Sequence, residues 1–231
     1  YGMVTVRSEI INIHGERIQL IDDVPEYQEL VVATASMPLD EWRRTRAFCW
    51  MIALLHFDKL FQIPMVLANV IGGLRYHDMI EGFMHAPAAR YPTIAEIRDL
   101  FLDQAKVIQE GGPEFLYSPD WLGIYWPQDE YVYIKLAAEA KFEAFYSEVS
   151  DILAHQVEVS GASLPAGLLD DAVALNRALL MQPGRLDNLD VDIGYNILDV
   201  YNGVRTGQQV ALVRQASSVR IDRASKPYDD F

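Results

Sequence analysis

Nine consecutive apolar residues, Ala47 to Leu55, limit most tightly what this chain can become. A helix that is apolar on every side has to be buried on every side, so the run predicts a central helix of a folded body. Ser36-Met37-Pro38 gives its start, with Pro early in the first turn and Asp40 and Glu41 near the N-terminal dipole. Arg43, Arg44 and Arg46 follow Trp42, and Asp58 and Lys59 close the segment. The run falls far short of the roughly 20 apolar residues that span a bilayer. No transmembrane helix is expected from it.

On either side the pattern changes. Residues 1–34 read as extended: Val4, Val6, Ile10, Ile11 and Ile13 are β-branched, His14-Gly15-Glu16 offers a turn, and Ile18 and Leu20 resume the alternation. After Asp22-Asp23-Val24-Pro25, Leu30 to Thr34 reads as one more buried strand. Downstream, Pro64 opens an apolar helix stopped by Gly72-Gly73, and a short helix covers Tyr76–His85. Thr93 and Glu96 have capping-box spacing ahead of Ile94, Ile97, Phe101, Ala105 and Ile108, and Gly111-Gly112-Pro113 ends that helix. From Asp129 one long helix is expected to about His155, its apolar steps interrupted at Ala138–Ala140. Ser163-Leu164-Pro165 starts another, which Pro183-Gly184 ends. A short helix near Tyr195–Tyr201 precedes a tail in which Gln209–Val213 and Ser218–Ile221 read as a terminal hairpin. The expected class is mainly α: an extended segment at 1–34, a helical domain at 35–231, and a C-terminal β-hairpin.

Composition narrows the function classes. Of 231 residues, 33 are acidic and 19 basic, for a net charge of −14. That excess argues against nucleic acid and anionic membrane as partners, since both need clustered Lys and Arg. The single cysteine, Cys49, excludes an internal disulfide and any multi-cysteine zinc or iron–sulfur site. Its place in the apolar run reads as inert packing. With no signal-peptide pattern at the start, a cytoplasmic setting is expected, and an opening Tyr1 rather than Met suggests a piece of a longer polypeptide.

Few residues carry a chemical signal. His77, Glu81 and His85 lie four apart and share a helix face, but about 12 Å separates the two histidines along the axis, too far for one ion. A solvated polar face is the reading there. His56 ends the buried helix, where an imidazole caps free carbonyls or lines a pocket beneath. No Walker loop, no Gly-x-Gly-x-x-Gly and no Ser/His/Asp arrangement is identifiable. The aromatic loop 114–128 holds Phe115, Tyr117, Trp121, Tyr125 and Trp126 between Pro119, Gly123 and Pro127. Such rings roof a core or form a docking patch. Under the docking reading, at least two of Trp121, Tyr125 and Trp126 are expected to be exposed, or covered by a second copy in a homodimer.

One resemblance bears on these features. The stretch Val31 to Trp42, then Phe48-Cys49-Trp50 and Leu54-Leu55-His56-Phe57-Asp58-Lys59, resembles the C-terminal region of cobalamin-binding radical S-adenosylmethionine proteins. Trp126 to Leu136, with Phe145-Tyr146 beyond, resembles the same region continued. It covers about residues 25–150 and consists of apolar and aromatic positions rather than a catalytic signature. The resemblance implies an upstream cobalamin domain, a barrel whose Cys-x3-Cys-x2-Cys motif holds a [4Fe–4S] cluster with S-adenosylmethionine, and a helical appendage. This chain lacks that motif, so no catalytic residue carries over and no cofactor is expected in it. Residues 1–34 would then be the end of the barrel or a linker, and the upstream catalytic domains the partner. The alternative is a free-standing helical interaction module that binds a partner through loop 114–128. A metal-dependent hydrolase built on His77, Glu81 and His85 is a third reading.

Overall fold

A computed structural model describes residues 1–16, 25–182 and 185–225. The expected alternation at Ile18 and Leu20, the turn at Asp22–Val24 and the helix stop at Pro183-Gly184 lie outside these residues. The element order is β1 (Val4–Glu9), β2 (Tyr27–Ala33), α1 (Leu39–Ile52), a π-helical turn (Ala53–Phe57), α2 (Gln62–Val70), α3 (Tyr76–Met84) and α4 (Pro92–Gln109). There follow β3 (Leu116–Ser118), β4 (Ile124–Trp126), α5 (Gln128–Ala138), α6 (Phe142–Val159), α7 (Leu168–Leu179), β5 (Leu189–Tyr195), α8 (Ile197–Thr206) and β6 (Arg214–Ile221). The protein is mainly α, with antiparallel strand pairs at both ends. No single helix among the described residues is long and apolar enough to cross a membrane.

The chain divides into two compact units: Tyr1–Leu54 with Ala86–Glu139, and Leu55–His85 with Ala140–Phe231. In the first, β1 and β2 pair with Val6 opposite Leu30 and Arg7 opposite Glu29. α1 packs on α4 and α5, and β2 lies against α1. The α4 residues expected to share one face, Ile94, Ile97, Phe101, Ala105 and Ile108, are all buried. The ring of Trp50 reaches Phe101 at 5.9 Å, and Gln109 donates from Nε2 to the Leu39 carbonyl at 2.7 Å.

Two local expectations are corrected here. The apolar run is not buried all round: Ala47, Trp50, Met51, Leu54 and Leu55 are, but Phe48 and Ile52 are half-buried and Cys49 is exposed. A helix that packs along one stripe leaves its far side to solvent whatever stands there. The capping box does not set the start of α4 either. Pro92 is the first helical residue, Tyr91 occupies the cap without a side-chain bond, and Thr93 falls inside the first turn.

The second unit holds α2, α3, α6, α7, α8, β5 and β6. Its core joins Ile63 and Leu67 of α2, Leu168, Ala172 and Leu175 of α7, and Ile193, Ile197 and Val200 further on. The long helix expected from Asp129 is in fact α5 and α6. Ala140 stands at φ 53, a left-handed conformation no helix continues through, and the interrupted apolar pattern at 138–140 marks the place. At the C-terminal end β6 pairs with β5, Val219 opposite Val191, while Gln209–Val213 lies outside the strands except for bonds to Asn196.

Candidate functional site

The aromatic segment of the first unit is a hairpin rather than a loop. Leu116 stands opposite Trp126 and Tyr117 opposite Tyr125. Ser118 Oγ accepts the Trp121 amide at 3.2 Å, and Trp126 Nε1 donates to the Trp121 carbonyl at 3.2 Å. The Trp121 ring lies 4.8 Å from Tyr131, and Tyr125 lies 5.3 Å from Tyr117. The turn at His14 is pinned to the same edge: its amide donates to the Tyr125 carbonyl at 2.8 Å, and its Nε2 meets Glu130 at 2.7 Å. These contacts correct the exposure expected for Trp121, Tyr125 and Trp126. All three are half-buried, because each ring has a neighbour in its own hairpin or beside it. The exposed apolar group is instead Leu122 at the tip, 80% exposed at φ 62. Asp129, just past the hairpin, has its carboxyl pushed above the usual range by burial, against backbone donors that pull it down.

His56 lies in the second unit, in the π-helical turn that follows α1. Wide helical turns of this kind recur at functional sites. The next residues are as unusual: Phe57 is 69% exposed, and Lys59 stands at φ 64. The imidazole is edge-on to Phe57 at 5.3 Å and to Tyr76 at 5.4 Å, and its Nδ1 is buried without a hydrogen-bond partner among the described residues. Burial lowers the His56 pKa from its ordinary 6.5. Burial raises the Tyr76 phenol, with a smaller push from the charge of Tyr201. Tyr201 in turn donates to Gln62 Oε1. Phe57 and Tyr76 thus flank an imidazole whose charged form burial disfavours, fit to accept or donate a hydrogen bond in its neutral form.

That arrangement carries a stability prediction. A histidine whose folded pKa lies below its unfolded value holds fewer protons when folded, so stability falls as pH drops below about 6.5. The difference in unfolding free energy between the protein and His56→Gln is therefore expected to shrink from pH 7.5 to pH 5. Urea titrations at both pH values measure it, and a constant difference contradicts the assignment.

His85 donates from Nδ1 to the Glu81 carbonyl at 2.8 Å, closing the end of α3, and His77 is exposed beside Asp78. Among the described residues no group of three or more His, Cys, Asp or Glu could hold a metal ion. A cleft of about 570 Å³ opens in the second unit between Gly72–Asp78 and Gln156–Ala162, which no sequence motif marked. Sequence reasoning also missed Asn176, 3% exposed on α7. Its Oδ1 accepts the Ile63 amide at 3.0 Å, and its Nδ2 donates to the carbonyls of Lys59 at 3.1 Å and Leu60 at 2.8 Å. Because α7 also carries Asp170, Asp171 and Arg177, nothing in the sequence set this Asn apart from a solvated polar position.

Compared with known proteins, the chain matches no family model, and no curated protein is significantly similar to it.

Proposed function

We propose that this chain is the helical C-terminal region of a cytoplasmic, cobalamin-dependent radical S-adenosylmethionine enzyme, where it covers the barrel and shapes the substrate site. The supporting observation is where the two stretches of resemblance fall. They lie far apart in sequence, yet α1, which carries Leu39–Trp42 and Phe48–Trp50 of the earlier stretch, packs in the first unit against α5, which carries Gln128–Leu136 of the later one. In the second, Tyr146 from the later stretch donates to the carbonyl of Leu60, the residue after the earlier one, at 2.9 Å. Scattered similarity has no reason to select positions that meet.

The residues present do not fit an iron–sulfur cluster, which needs several thiolates where this chain has Cys49 alone. Cluster, S-adenosylmethionine and cobalamin therefore belong to the upstream catalytic domains of the same polypeptide. This region contributes surfaces: His56 with its aromatic neighbours, and the hairpin with Trp121, Tyr125 and Trp126. Loops and appended domains at a barrel mouth commonly set specificity this way. The test is complementation. Chain 1–231 added to the separately produced upstream part is expected to associate with it and restore turnover, and Leu122→Asp is expected to weaken that association. Absence of any association contradicts the proposal.

The exposed Leu122 also supports a second reading, a free-standing interaction module in which the hairpin tip enters a pocket on another protein or on a second copy. In that case the upstream coding sequence holds no cysteine motif.

A further inference from the structure

We propose that the cleft in the second unit is a binding site for a primary alkylammonium. The site lies where two helices end. α2 stops at Val70 and turns through Gly72-Gly73, and α6 stops at Val159 and turns through Ser160–Ala162; both turns line the cleft. A helix C-terminus carries the negative end of its macrodipole and carbonyls without helical partners. Some of these are met: Asn69 O by the Gly73 amide at 2.9 Å, Gln156 O by the Ser160 amide at 3.0 Å, and Val157 O by Ser160 Oγ at 2.9 Å. The carbonyls of Gly72 and Val159 accept no protein donor among the described residues.

Three further features select an organic cation over a bare ion. Arg75, the one cation of the lining, is held by Asp78 through two bonds of 2.7 and 2.8 Å, so its charge is met within the wall. Asp78, in the first turn of α3, is engaged by Arg75, so helix ends set the field at the cleft: the negative ends of α2 and α6 against the one positive end of α3. Val159 is 67% exposed, an apolar side chain left in water beside those carbonyls, and its methyl groups suit an alkyl chain. Gly73 and Gly161 both adopt left-handed conformations, φ 74 and φ 70, with no atom within 4 Å of where a β-carbon would stand. Nothing in the chain fills that space, so a ligand can approach the backbone closely. The volume, about 570 Å³, is of the size that holds small organic ligands.

The experiment titrates the full chain with pentylammonium chloride, following the backbone amides by NMR, and repeats the titration with 1-pentanol and with sodium pentanoate. Pentylammonium is expected to shift the Gly73 and Gly161 amides saturably and to bind about tenfold more tightly than pentanol, the advantage two helix ends supply. Pentanoate is expected not to bind. Val159→Arg, a surface change that fills the cleft and adds a repelling charge, is expected to abolish the shifts. Val159→Ala, which removes only alkyl contact, is expected to weaken them severalfold. Pentanol binding as tightly as pentylammonium, shifts located elsewhere, no saturation by about 20 mM, or unchanged binding by Val159→Arg would each overturn the site.

Discussion

Asn176→Ala is expected to destabilise the protein by about 3 kcal/mol, a large fraction of the total stability of a domain. The side chain is small and its own burial is worth little. Its weight comes from what it satisfies. Between the π-helical turn and α2 the backbone runs irregularly, and the Ile63 amide and the Lys59 carbonyl both find their partner in this one amide group. Alanine leaves each of them without that partner inside the protein, and each such loss costs about 1–3 kcal/mol. The Leu60 carbonyl suffers less, since Tyr146 still donates to it. Asn176→Asp separates shape from chemistry. A carboxylate keeps the bond from Ile63 but faces two carbonyl oxygens, so at neutral pH it is expected to cost at least as much as alanine. Part of that is recovered on acidification, when a protonated carboxyl can donate again. Urea unfolding measures both variants. A loss below about 1 kcal/mol for alanine would mean that water replaces the amide.

The second large effect falls on Arg223. It is 4% exposed, and its Nη2 donates to the carbonyls of Ala178 and, at 2.9 Å, Leu180. A cation at the end of α7 suits the dipole there and ties the residues after β6 back to the helix. Asn188 completes the tie by accepting the amides of Arg223 at 2.8 Å and Ala224 at 2.9 Å. Arg223→Met keeps most of the stem and removes the charge and both bonds. The expected loss is about 2–3 kcal/mol, together with faster amide exchange at Val219 and Ile221 in β6. Arg223→Lys is expected to recover only part, because one ammonium matches two carbonyls less well than the guanidinium fork. If Arg223→Met exchanges at the same rate as the parent, the tie carries no weight.

These two residues show which parts of the molecule were legible in sequence. Periodicity found α4 with its buried face and its Gly111 stop, though not its cap, because amphipathic helices advertise their packing. The mainly α class, with strands at both ends, was equally readable. What was not readable is geometry that depends on the rest of the chain. The break at Ala140 showed as a gap in the apolar pattern, but a gap does not say that the next helix belongs to a different unit. The apolar run gave no hint that Cys49 faces solvent, since composition cannot say how many sides of a helix are covered. Likewise the Gly/Pro punctuation of residues 114–128 suggested a free loop, whereas cross-strand pairs such as Tyr117 and Tyr125 formed a hairpin with half-covered rings. His56 was found for a partial reason, its place at a helix end. Its π-helical turn and unpartnered nitrogen are properties of the folded backbone. Asn176 and Arg223 were passed over because a buried polar residue is recognisable only by the carbonyls it meets.

The central claim, that this chain serves the catalytic domains of a cobalamin-dependent radical enzyme, is tested most directly by the coding sequence immediately upstream of Tyr1. The account predicts an open reading frame continuing upstream through a Cys-x3-Cys-x2-Cys motif, preceded by a cobalamin-binding domain. A stop codon and start site just ahead of Tyr1, with no such motif in frame, would contradict it and leave the hairpin as the interaction surface of an independent protein.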